Sequence, residues 1–248
     1  MTDLASSDRP AQPSAPRGLL SRLIGVLTAP RAAYGEIVAR PRAAGALALV
    51  AALVAAASAV FFSTDVGRRA LLDQQVRTLE SFGVRIPDEA YDRMEERLAQ
   101  PTTPLLTAAS QMVSIPLVAI VVAAVALLVF NVVLGGDATF KQVLAVVAHA
   151  GVITVVQQLF ALPLDYVRES LASPTALAVF FPFLDETSFA ARLLGSIDLF
   201  VLWWIVNLAT GFGVLYKRPT RPIAASFIGV YAGLALVLAA VRLALSGS

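Results

Sequence analysis

Apolar residues come in runs of about twenty positions along this chain, and the segments between the runs hold nearly all of its charge. The first run extends from about Ala43 to Phe62 and carries no charged residue. A helix needs about 20 apolar residues to cross a hydrocarbon core roughly 30 Å thick. Later runs cover about 110–134, 142–164, 193–216 and 222–245, so five crossings are predicted. Nowhere does the pattern alternate with a period of two, which excludes a transmembrane β-barrel. The expected fold is an all-α, polytopic bundle, with a membrane domain over 43–245.

The segments between the runs have characters of their own. Residues 1–16 hold Pro10, Pro13 and Pro16 among small and polar residues, the composition of a disordered tail. Over 17–42 the pattern becomes amphipathic: Leu20, Leu23, Ile24 and Leu27 recur at helical spacing, with Arg17, Arg22 and Thr28 between them. Pro30 interrupts, and a second short helix follows with Tyr34, Ile37 and Val38. A basic amphipathic segment next to a span reads as interfacial, with Arg17, Arg22, Arg31, Arg40 and Arg42 at the membrane surface. Residues 63–104 read as a helical hairpin outside the membrane. Its second helix is predicted to start at Pro87-Asp88-Glu89, where proline suits the first turn and acids suit the helix dipole. Gly135-Gly136-Asp137 marks a tight turn, and the loop 165–191, with Phe180, Phe181 and Phe183, is expected to dip into the interface.

Composition narrows the class. Of 248 residues, 58% are apolar and 15% charged, against about 25% charged in a soluble domain. The net charge is +2 and the basic residues are scattered, which excludes nucleic acid as a partner. With no cysteine, thiolate nucleophiles, disulfides and Cys-ligated metals are excluded too. Basic residues in short loops vote most strongly on orientation. Arg31, Arg40 and Arg42, together with the turn Lys217-Arg218-Pro219-Thr220-Arg221, put the N-terminus in the cytoplasm and the C-terminus outside.

Three stretches carry a family likeness. They are Leu27-Thr28-Ala29-Pro30-Arg31-Ala32-Ala33-Tyr34-Gly35-Glu36-Ile37 with Arg40-Pro41-Arg42, then Leu134-Gly135-Gly136-Asp137-Ala138-Thr139-Phe140-Lys141-Gln142, then Ile197-Asp198-Leu199-Phe200-Val201-Leu202-Trp203-Trp204 with Gly211 beyond. In order and spacing the chain resembles the Yip (Ypt-interacting protein) domain family, in its prokaryotic five-span form, over about residues 18–240. Eukaryotic members bind small Rab-type GTPases and act in vesicle traffic. What the resemblance implies here is a fold and a membrane location. The GTPase role is not carried over, because the segment before the first span is much shorter than a partner-binding domain.

Signatures of catalysis are missing: there is no phosphate-binding loop, no paired histidines and no Cys cluster. No catalytic residue, cofactor or metal is therefore expected. Polar groups within the spans are costly unless partnered, which singles out His149, Gln157 and Gln158 in span three and Asp198 and Asn207 in span four. Matching their depths predicts that Asp198 bonds Gln157 or Gln158 and that Asn207 bonds His149. Asp198 and Asn207 lie on opposite sides of their helix, so at most one of these pairs is direct. Ala225, Gly229 and Gly233 form a small-residue stripe, a candidate close-packing face.

Two functions compete. The first is a non-enzymatic multi-pass protein of the cell membrane that organises membrane partners or lipids. Its partners would be the bilayer and an unidentified membrane protein or a second copy of the chain. The second is a small transporter or channel-like permease using the polar residues of spans three and four; the odd span count and the lack of an inverted repeat speak against it.

Overall fold

The computed structural model describes residues 18–185 and 188–246. The tail expected over 1–16, and Arg17, lie outside the described residues. Among the described residues the regular elements are helices, with a single isolated bridge between Ala176 and Asp198. The chain is an all-α bundle.

Two short helices lead in, α1 (Leu19–Thr28) and α2 (Pro30–Ala39). Pro30 stands at the first position of α2, where its fixed φ is preorganised and its missing N–H costs that helix nothing. Then come α3 (Ala44–Phe62), the hairpin helices α4 (Asp65–Ser81) and α5 (Asp88–Ala99), and α6 (Thr103–Leu127), which continues as a π-helical turn over Leu128–Val133. The third run folds as α7 (Phe140–Ala150) and α8 (Val152–Arg168), joined at Gly151. After a loop come α9 (Phe189–Gly195), α10 (Leu199–Leu215) and α11 (Thr220–Ser246).

Four of these units are long and apolar enough to cross a membrane: α3, α6 with its π turn, α7 with α8, and α11. The fourth apolar run differs from the expected single span over 193–216. Its first residues form α9, the chain breaks at Ser196–Asp198, and α10 begins at Leu199 with 17 residues. That length is about 26 Å, a few ångström short of the hydrocarbon core. The break has a local cause, because Asp198 caps α10: its Oδ1 accepts from the backbone N–H groups of Phe200 at 2.7 Å and Val201 at 3.3 Å.

The bundle wears its apolar side chains outward. Val113, Leu117, Val121, Val125 and Val132 of the second unit are exposed, as are Val230, Leu234, Val237 and Val241 of α11. Water does not tolerate apolar bands of that extent; lipid does. The loop before α10 exposes Phe180, Phe181 and Phe183, suiting the bilayer interface. Ala225, Gly229 and Gly233 also face outward, and a Cβ on either glycine would meet nothing within 4 Å, so the stripe does not pack within the bundle.

The interior is built where α2 packs on α7 and α10, with Tyr34, Ile37, Val146 and Phe212 fully buried. Gly211 permits this approach. A Cβ there would sit 2.5 Å from Val146 Cγ1 and 3.1 Å from the Tyr34 ring. Gly211→Ala is expected to destabilise the protein by about 1–3 kcal/mol through overpacking. Thermal unfolding in detergent reads this, and an unchanged midpoint would mean that α2 backs away freely.

The double-glycine turn is explained at the same end of the bundle. Gly135 has φ +69°, a conformation that favours glycine, and a Cβ on Gly136 would lie 2.6 Å from Tyr216. Phe130 stacks on Tyr216 at 4.7 Å between ring centroids. Asn131 donates to the Ala138 carbonyl at 2.7 Å and accepts from the Tyr216 hydroxyl at 2.9 Å.

Candidate functional site

The sequence-predicted polar residues among the described ones fall into three clusters and one cavity. The deepest cluster joins the N-terminal helices to α10. Pro30 has no N–H, so the carbonyl four residues earlier, that of Val26, has no helical partner at the end of α1. Asn207 Nδ2 supplies one, donating to the Val26 carbonyl at 3.0 Å, while Asn207 Oδ1 accepts from the Tyr34 hydroxyl at 2.5 Å. One amide therefore reads both short helices. The expected Asn207–His149 bond is not formed: matching depths on neighbouring spans overlooked Tyr34, which α2 brings to the same level. Burial pushes the Tyr34 phenol above its ordinary range, so it remains a donor.

A second cluster surrounds Asp198. Beyond the two backbone bonds of the cap, Oδ2 accepts from Thr175 Oγ1 at 2.7 Å and from Ser173 Oγ. Gln157 Nε2 stands 3.5 Å from Oδ1, at the limit of a hydrogen bond. The Asp198 N–H donates to the Tyr231 hydroxyl at 3.1 Å, and that hydroxyl donates to the Ser196 carbonyl at 3.0 Å. Sequence reading places Asp198 inside a span; it stands at the start of α10, tying the loop, α8 and α11 to that helix.

The third cluster centres on Ser58 of α3, which is buried. Its Oγ accepts from Gln111 Nε2 at 2.9 Å and from Gln158 Nε2 at 3.1 Å. Gln158 thus turns to α3 and away from Asp198. Sequence reading singles out neither Ser58 nor Gln111; the cost of a polar group in an apolar run, which marks Gln157 and Gln158, applies to Gln111 as well and could have found it.

The cavity lies among α1, the start of α3 and the end of α7, has a volume of about 310 Å³, and is lined by Gly18, Leu19, Arg22, Arg40, Arg42, Gly45 and His149. Arg22 is expected at the membrane surface, yet it is only 6% exposed, because α1 turns Leu20 (66% exposed) and Ile24 (59% exposed) outward and Arg22 with Leu23 and Val26 inward. Arg31, Arg40 and Arg42 are exposed. Arg22 Nη1 donates weakly to the Arg40 carbonyl at 3.4 Å, and its Nε has no partner. His149 is 0% exposed; its Nδ1 bonds the Ala145 carbonyl at 2.8 Å and its Nε2 has no partner. Among the described residues the ion pairs join Arg68 to Asp65 and Arg93 to Glu89 in the α4–α5 hairpin, and neither involves Arg22, Arg40 or Arg42.

Compared with known proteins, the chain matches the family model described as the Yip1 domain over residues 24–242. No curated protein and no solved structure matches it.

Proposed function

The chain belongs to the Yip1 domain family, and on that premise we propose that it organises partners or lipids of the cell membrane without catalysing a reaction. It is a membrane protein, with helices long and apolar enough to span. The finer reading gives it five crossings, with α10 as the short fourth, a cytoplasmic N-terminus and an external C-terminus. The observation that carries it is the use made of the intramembrane polar groups. Asn207 and Gln158 direct their hydrogen bonds to neighbouring helices, the pattern of helix–helix glue, and Asp198 uses its own for the cap of α10 and for the loop hydroxyls of Ser173 and Thr175. Arg31, Arg40 and Arg42 meanwhile offer exposed charge beside the first span, where an anionic leaflet or a partner would meet it.

Proteoliposomes test the competing permease directly. Proton and potassium flux is expected to equal that of empty vesicles; protein-dependent flux abolished by Asp198→Asn would overturn the organising role. Orientation is checked by a reporter fused at Ser248, which is expected to be active only when exported. Activity confined to the cytoplasm would overturn the orientation with an external C-terminus.

A further inference from the structure

Arg22 poses an energetic problem that the protein alone leaves open. A guanidinium removed from water is costly unless an anion and hydrogen-bond acceptors surround it. Arg22 is 6% exposed, its Nε has no acceptor, and no carboxylate among the described residues pairs with it. The cavity beside it brings two more arginines, Arg40 and Arg42, to the same space. Its volume, about 310 Å³, is at the lower end of the range of roughly 300–1,000 Å³ for small-molecule sites. Gly18 and Gly45 line it without side chains, so backbone rather than bulk borders the space.

His149 defines the ligand further. A carbonyl can only accept, so His149 Nδ1 carries the proton that it donates to Ala145. In the neutral ring Nε2 is then an acceptor, buried and without a partner, on a residue that lines the cavity. Three guanidinium donors and one neutral acceptor suit an anion that also carries a hydroxyl.

We propose that this cavity binds a phosphate ester bearing a hydroxyl, presented by the headgroup of an anionic phospholipid at the cytoplasmic face. Arginine forks match phosphate oxygens in bidentate geometry, and His149 Nε2 receives the hydroxyl. The exposed Leu20 and Ile24 on α1 favour a lipid over a free ester, because they set apolar surface on the same short helix that supplies Arg22. This inference deepens the organising role and rests on it, naming a lipid class.

Full-length protein in an uncharged detergent is titrated with short-chain phosphatidylglycerol, short-chain phosphatidylcholine and glycerol 3-phosphate, and bound species are counted by native mass spectrometry. Phosphatidylglycerol is expected to bind about tenfold or more tighter than phosphatidylcholine, as suits charge-assisted contacts to a phosphate and a hydroxyl. The double variant Arg40→Gln, Arg42→Gln is expected to lose about tenfold. Both residues are exposed, so folding is spared even if Arg22→Gln proves unstable. Arg85→Gln with Arg93→Gln, in the α4–α5 hairpin, is expected to leave binding unchanged. Competition by glycerol 3-phosphate at equal concentration would overturn the lipid source. Equal binding of the two lipids, or retention within about twofold by the Arg40, Arg42 variant, would overturn the site itself. Such a failure leaves the organising role standing, because flux tests that role separately.

Discussion

Replacing Asn207 with leucine is expected to destabilise the protein by about 4 kcal/mol, among the largest effects of any single change in the bundle. The side chains are similar in size, so the loss is one of hydrogen bonding. The Tyr34 hydroxyl and the Val26 carbonyl would both remain buried without partners, each costing about 1–3 kcal/mol. Tyr34→Phe alone should cost less, since it orphans only Asn207 Oδ1. Combining the two changes should recover part of the loss, because the hydroxyl and its acceptor vanish together. Thermal unfolding in detergent of the two single variants and the double variant measures all three quantities. A loss below about 1 kcal/mol for Asn207→Leu would mean that α1 and α2 are not anchored through this amide.

Asp198→Ala is expected to cost about 3 kcal/mol. Removing a helix N-cap accounts for about 1 kcal/mol, and orphaning the Thr175 and Ser173 hydroxyls accounts for the rest. Asn at this position keeps an oxygen for the cap and should cost about half as much. Since the chain has no cysteine, one introduced at buried Ala176 reports on the loop. Thiol labelling should be slow in the parent and fast alongside Asp198→Ala. Slow labelling in both would show the loop held by its backbone bonds alone, Leu177 N–H to Ile197 and Leu199 N–H to Thr175.

The membrane character and most helices were legible because hydropathy over a span is a sum, insensitive to any one residue. The hairpin start at Asp88 was legible for a different reason, its proline and two acids being strong local signals. The start of α10 was not found, although Asp198 before a long apolar run is itself an N-cap signature. The apolar residues of α9 blur into the same hydropathy window and hide it. The burial of Arg22 was not legible, because the amphipathic pattern does not say which side of α1 the bundle covers. Leu20 and Ile24 face out of the bundle and Arg22 faces in. The partner of Asn207 was beyond reach of depth matching, since it comes from a segment outside the spans. The signal that could have found it is Pro30, whose missing N–H requires some donor for Val26.

The anchoring of α1 and α2 by Asn207 has a bearing on how the protein is made. The bonded groups are 173 and 181 residues apart in the chain. At about 5–20 residues per second, the ribosome delivers α10 roughly ten to thirty-five seconds after α2. Throughout that interval the Tyr34 hydroxyl and the Val26 carbonyl lack their partner amide, and the leading helices wait with only the earlier helices, α7 among them, to pack on. Their amphipathic sequence is what makes the wait tolerable, and arrival of the fourth apolar segment is the event that draws them in. A nascent chain stalled before Asn207 should therefore leave α1 and α2 open to protease, and one released after Tyr216 should not.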